Sequence, residues 1–392
     1  MTRPLSSLLL VALLAAPGAA QVQLRGRADE VDAPVRKVSL EGVVVGDAPG
    51  GGSDHGQVIG WDLVRTIPGY EEAAAEFLPV ADRAWRARSR LERGDWAAAE
   101  PLFEDLARTY QGVGGPTAAV VHEGLLRCRL RRGAQGAAVW AWLDWVGTLQ
   151  ASHAEVHRWM GGRTNLPAIR DSATELIPGL PPIWVGGRTL AVVAASEEWS
   201  RFASGLAGGS VTADLAALYR HAAAFEAGVP SELPMTDMFH PGVRLVAEVV
   251  ASRAAPTLDD RRLARGKLER RLSAGQGPNA VAPEPWVEAW CRAAIGRSLV
   301  LEQDESLRRR GVRELLHLPA RFADDHPYLA GVCLAEAAAA MRDMGEHDAA
   351  SILLEELRRR FPSHPALAWE KLHGIGAPPQ GAPAPAGAEP PA

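Results

Sequence analysis

From Pro68 to about residue 375 the apolar positions recur every three or four residues, the period of a helix with one buried stripe, whereas residues 35–67 are β-branched and partly alternating. The stretch "GVCLAEAAAAMRDMGEHDAASILLEELRRRFPSHP", residues 331–365, gives the clearest pattern. Leu334, Ala337, Ala338 and Met341 form one stripe, Gly345 supplies a turn, Ala350, Leu354 and Leu357 form a second stripe, and Pro362 stops the helix. The spacing predicts a helical hairpin. "AWRARSRLERGDWAAAEPLFEDLA" places Gly94, Ala99, Phe103 and Leu106 at the same offsets. "GLLRCRLRRGAQGAAVWAWLDWV" does so with Leu125, Leu126, Gly133, Ala138, Trp142 and Trp145. "IGRSLVLEQDESLRRRGVRELLHL" aligns Ile295, Leu299, Gly311, Leu315 and Leu318 but has no glycine at the turn. The small residue of the second helix recurs from Ala99 to Ala138 and from Gly311 to Ala350, 39 residues in both cases.

Residues 21–67 have a different texture. "VRKVSLEGVVV" puts Val38, Leu40 and Val44 on one face of a strand, and "QVIGWDLVRTI" does the same with Ile59, Trp61, Leu63 and Ile67. Across the Gly-rich "GDAPGGGSDHG" these runs predict a small β-hairpin that must pack on the helices C-terminal to it, since an isolated hairpin is marginal. The organisation expected is therefore an N-terminal segment (21–67), helical hairpins (68–160), an irregular connector with further helices (161–283), more hairpins (284–375) and a Pro/Ala/Gly tail (376–392) with nothing to bury. "LIPGLPPIW" is the stiff part of that connector.

The residues at the hairpin positions resemble the tetratricopeptide repeat (TPR) family. Its unit has a large residue, two small ones and another large one before a Gly turn, then Ala, a large residue and a closing Pro. The resemblance implies a mainly α, TPR-like α-solenoid of stacked helical hairpins, here with the small N-terminal β-hairpin. Each hairpin in such an array buries its apolar face only against neighbours, so residues 161–283 are expected to stack as well. The family's first helices line a concave groove. This makes Arg86, Arg90, Arg127 and Arg131, from two arginine-dense first helices, the candidate partner contacts. The family's carboxylate-gripping groove uses Lys and Asn, and the matching Val332, Ala335 and Glu336 do not support that mode.

The first twenty residues, "MTRPLSSLLLVALLAAPGAA", follow the order of a secretory signal: Arg3, an apolar run from Leu8 to Ala16, then Pro17 and Gly18, with cleavage expected between Ala20 and Gln21. The run is shorter than the ~20 residues a bilayer span needs. No Cys stands at the cut for a lipid anchor, so the expected product is exported, periplasmic or secreted, without stable membrane insertion. The net charge of −5 gives no electrostatic reason to seek nucleic acid. Cys128, Cys291 and Cys333 are odd in number and far apart. They are expected as buried thiols, with a single disulfide as the rival reading.

Catalytic spacing is weak. "HAEVH" sets His153 and His157 one helical turn apart, but Glu155 lies about 200° round the helix from a zinc-protease position. In "GGSDHG", Ser53, Asp54 and His55 are adjacent neighbours that cannot adopt triad geometry. "ARGKLERR" lacks the upstream Gly of a phosphate loop. No cofactor or metal set is indicated. The 12 Trp include "WAWLDW", in which Trp142 and Trp145 fall at core positions and Trp140 is expected to look outward as a partner or glycan contact. The leading expectation is a non-catalytic scaffold that binds another envelope protein. A glycan- or peptidoglycan-binding module using exposed Trp and Arg is the first alternative. A hydrolase built from the middle, around "LPPIW" and His240, is the second.

Overall fold

The computed structural model describes residues 21–26, 30–46, 56–153, 158–185, 199, 210–236, 238–274 and 282–375. The chain divides into two compact units, Met1–Ala168 and Ile169–Ala392. The leader and the tail lie outside the described residues. Among the described residues no helix is long and apolar enough to cross a membrane.

The first unit opens with strands β1 (Gln21–Leu24), β2 (Glu30–Asp32), β3 (Val35–Ser39), β4 (Gly42–Val45), β5 (Gln57–Ile59) and β6 (Val64–Thr66). They build two small sheets rather than one hairpin, in the orders β2-β1-β6 and β3-β4-β5-β7, with β7 at Arg158–Met160. The first β-branched run is itself a hairpin, because Ser39 pairs with Gly42 across a turn at Leu40 and Glu41. That turn reverses the expected phase. Val35, Val43 and Val45 are buried, while Val38, Leu40 and Val44 are only half-buried. The second run breaks at Gly60–Leu63 and sends its halves to different sheets, yet Ile59, Trp61, Leu63 and Ile67 are all buried as expected. Trp61 anchors this core: its ring stacks on Phe77 at 5.2 Å and its Nε1–H donates to the Ser39 carbonyl. β7 pairs parallel with β5, Val58 opposite Trp159. Three residues of Arg-Trp-Met carry no strand signal of their own.

Between β6 and β7 stand α1 (Glu71–Ala74), α2 (Leu78–Glu92), α3 (Trp96–Thr109), α4 (Pro116–Arg131) and α5 (Gln135–His153). Each of α2 to α4 packs on the next, and α2 also touches α4, the pattern of two stacked hairpins. The turns recur in detail. Gly94 and Gly133 sit at φ +80° and +72°, and the following N–H groups of Asp95 and Ala134 return to the carbonyls of Arg90 and Arg129. Only glycine takes this left-handed position without strain. Arg90 then donates to the Ala98 carbonyl and Arg129 to that of Ala137, the same bond one interval later. Ala99, Phe103 and Leu106 form the buried stripe of α3, and Ala138 and Trp142 are buried on α5.

The second unit contains α6 (Val211–Ala227), α7 (Pro241–Ala254), α8 (Leu258–Ala274), α9 (Pro285–Leu299), α10 (Glu305–Arg321), α11 (Pro327–Asp343) and α12 (His347–Arg360), then 3-10 turns at Pro365–Ala368 and Glu370–Leu372. The pairs α7/α8, α9/α10 and α11/α12 are stacked hairpins whose first helices also pack on one another, α7 on α9 and α9 on α11. Within the second unit, α7 and α8 thus belong to the same stack as α9 to α12. Gly311 is small for a steric reason: a Cβ there would stand 2.8 Å from the Leu299 Cβ and 2.9 Å from the Val300 N. Leu315, Leu334, Ala338, Ala350 and Leu354 are buried. Met341 is half-buried, Gly345 makes the turn at φ +82°, and Pro362 lies exposed beyond α12.

Beyond α12, His364 caps the 3-10 turn at Pro365–Ala368. Its Nδ1 accepts the Ala366 N–H at 3.1 Å and its Nε2 meets the Tyr328 carbonyl at 2.9 Å, an arrangement that requires the neutral ring with its proton on Nε2. Burial pushes this imidazole down from 6.5 to about 4, against the opposing pull of the Tyr328 carbonyl. The unfolded ring takes up a proton near 6.5 and the folded ring resists it. Stability is therefore complete above pH 6.5 and falls as pH drops toward 4, by at most about 3 kcal/mol from this group. Urea unfolding of the wild type should show a lower midpoint at pH 4.5 than at pH 7, and His364→Gln should shrink that difference. Gly124→Ala should destabilise the first unit by about 1–3 kcal/mol in the same assay, because the added Cβ would meet the Phe103 ring at 2.3–2.6 Å.

Candidate functional site

The first helices of the hairpins are where the expected groove would lie, and in both units several of their polar side chains bind the chain itself. On α2, Arg88 reaches the Asp62 carboxylate at 2.7 Å and Glu92 at 2.8 Å, and Glu92 in turn accepts the Asn165 N–H. On α4, Glu123 accepts from Arg127 and from the Thr164 hydroxyl, while Arg127 also donates to the Pro167 carbonyl at 2.7 Å. The backbone N–H of Trp61 donates to Thr117 at the start of α4. Residues 61–62 and 164–167 thus lie against α2 and α4. Asp62 is fully buried. Its burial raises the carboxyl above the usual range, and the adjacent Arg88 guanidinium opposes that rise.

In the second unit the connector takes the same position. Leu176, Ile177, Leu180, Ile183, Trp184 and Val185 are buried. Four carbonyls of this stretch each accept a side-chain donor: Pro178 from Trp290 Nε1, Leu180 from the Tyr219 hydroxyl, Ile183 from the Tyr328 hydroxyl and Trp184 from Arg297. The donors come from α6, α9 and α11. A proline-rich segment has few N–H groups to satisfy but keeps every carbonyl, so side-chain donors are what its burial requires.

Arg297 belongs to a buried ionic cluster to which four helices contribute one residue each. Arg253 of α7 pairs with Glu226 of α6 at 2.5 Å and with Glu336 of α11 at 2.9 Å. Arg297 of α9 pairs with the same two at 3.0 and 2.8 Å. All four side chains are at most 8% exposed. Two guanidinium and two carboxylate groups balance, so no net charge is buried. Burial by itself would raise the Glu336 carboxyl, but Arg253 and Arg297 outweigh it and hold it low. The Arg297 guanidinium is correspondingly raised, the two carboxylates outweighing its burial. A cavity of about 20 Å³ beside Arg253, Arg297 and Ser252 has room for a water molecule and little more. The sequence signal for this cluster was a lone charge inside an apolar run, as in "CLAEAAAAM" and "AIGRSLV".

The nominated contacts have separate fates. Arg86 is exposed and paired with Asp82, Arg90 is bound to the Ala98 carbonyl, Arg127 is held by Glu123 and Pro167, and Arg131 is exposed. Trp140 is half-buried, whereas Trp142 and Trp145 are buried. His240 caps α7 by accepting the Val243 N–H. Ser53, Asp54, His55 and His157 lie outside the described residues, and among those described no group of three His, Cys, Asp or Glu side chains could hold a metal ion. The three thiols are buried and unpaired, and burial pushes Cys128 and Cys291 up to about 12.

Removing one member of the cluster leaves an uncompensated buried charge. Arg297→Leu should cost roughly 3–5 kcal/mol. It should be seen as iodoacetamide labelling of Cys291 and Cys333 at lower urea than in the wild type. No protein-family model, no characterised protein and no solved structure matches the chain, so its function is argued from its own residues and geometry.

Proposed function

We propose that this chain is a non-catalytic interaction scaffold of the cell envelope, an exported helical-repeat protein of tetratricopeptide type that binds another protein. The signal-like leader, the 39-residue recurrence and the stacked hairpins support this reading. The observation that carries it is the connection between α6 and α7. Met235 is 101% exposed and Phe239 93%, with Met238 exposed beside them and Phe225 exposed near the end of α6. Most other large apolar side chains of the unit are buried, and a cluster of exposed ones marks a contact surface. Methionine is flexible and polarisable enough to fit an irregular partner. Much of the first-helix surface is already taken by the chain's own segments, which favours this connection as the contact surface.

A photocrosslinking residue at position 235 should yield a discrete protein adduct in envelope extract, and the same residue at the exposed Arg313 of α10 should not. Met235→Ser combined with Phe239→Ser should abolish co-purification of that protein and leave the melting temperature unchanged. Identical adducts from positions 235 and 313, or none from either, would defeat the reading.

A further inference from the structure

All twelve tryptophans lie among the described residues, and Trp85 on α2 is the one left exposed, at 39%. It is also the only large apolar side chain exposed among the described residues of the first unit. The ring is only partly buried, and charged side chains frame it. The Arg25 guanidinium lies over the indole, 5.5 Å from its centroid. Arg25 is itself fixed by Nε donating to the Val64 carbonyl at 2.8 Å and Nη1 to Asp82 at 3.2 Å. Asp82 stands one helical turn before Trp85 on the same face, and its second oxygen pairs with Arg86 at 2.6 Å. Asp82 is 38% exposed and Arg86 61%, so both keep polar edges in solvent beside the ring.

We propose that Trp85, Asp82 and Arg86 form a saccharide-binding platform, held in position by Arg25. A pyranose ring presents a patch of C–H groups on one face and hydroxyls around its edge. The part of the indole that Arg25 leaves exposed takes the C–H face, while the carboxylate accepts from hydroxyls and the Arg86 guanidinium donates to them. Arg25 fixes the ring before any ligand arrives, so binding does not have to freeze a loose side chain. A protein partner is the poorer fit. The core of a protein interface groups several apolar anchors, whereas Trp85 stands alone among charges. Two guanidinium groups against one carboxylate leave spare positive charge, which favours an acidic saccharide over a neutral one.

The test is isothermal titration of the full chain with chitotetraose, cellotetraose, tetragalacturonate and an oligothymidylate. The expected result is binding of at least one tetrasaccharide, tightest for tetragalacturonate, weakened about tenfold or more by Trp85→Ala. Trp140→Ala should bind like the wild type. If Trp85→Ala does not fold, Asp82→Asn and Arg86→Gln supply the test, each weakening saccharide binding with an unchanged circular-dichroism spectrum. Failure of the wild type to bind any tetrasaccharide, equal binding by the folded variants, or binding of the oligothymidylate alone would overturn the proposal.

Discussion

The second unit depends on a backbone carbonyl finding a side-chain donor. A segment as proline-rich as residues 178–182 cannot enter a sheet or a helix, yet its apolar side chains are buried among helices. Tyr219, Trp290, Tyr328 and Arg297 resolve the conflict by bonding its carbonyls one at a time. Arg297 could not serve in so apolar a place without Glu226 and Glu336, and Arg253 is what lets two carboxylates share the site. A buried ionic cluster adds little net stability over an apolar one of the same volume. What it adds is direction, since a planar fork of N–H groups donates to carbonyls and carboxylates only at set angles.

That arrangement changes what a stacked-hairpin array can do. In α11 nearly every residue from Tyr328 to Ala340 is buried, while α10 and α12 keep one buried stripe each. First helices covered on all sides are core, and their arginines are structural. The same holds for Arg88 and Arg127 in the first unit, where residues 61–62 and 164–167 play the part of the connector. Large apolar side chains that stay exposed, such as Trp85 and the methionines between α6 and α7, take no part in this arrangement.

Legibility in the sequence followed the range of the interaction. Local determinants were plain: the turns at Gly94, Gly133 and Gly345, the stripes of α3 and α12, and the tight crossing at Gly311 all rest on residues within one hairpin. The first β-branched run was misphased because a two-residue turn at Leu40 and Glu41 leaves almost no compositional trace. The ionic cluster was invisible as a unit, since its four members come from helices spread over 110 residues of chain, Glu226 to Glu336. Periodicity drew attention to Trp140, which is half-buried, and not to Trp85, which is exposed. The charged frame at Trp85 was not legible, because Arg25 stands some sixty positions before it in the chain, at the other end of a long-range contact.

The pairing of β5 with β7 has a consequence for how the first unit comes to exist. Val58 and Trp159 meet only after about a hundred intervening residues have been placed. The helical hairpins between them rely on local contacts and can form early, whereas the sheet remains incomplete until the last strand arrives. Until then β5 presents an unpaired edge, the kind of template on which unfinished chains join one another. During synthesis, the vulnerable interval for this protein therefore runs from the emergence of Ile59 to the emergence of Met160. A chain truncated just after α5, at His153, would keep both hairpins and leave the β5 edge unpaired.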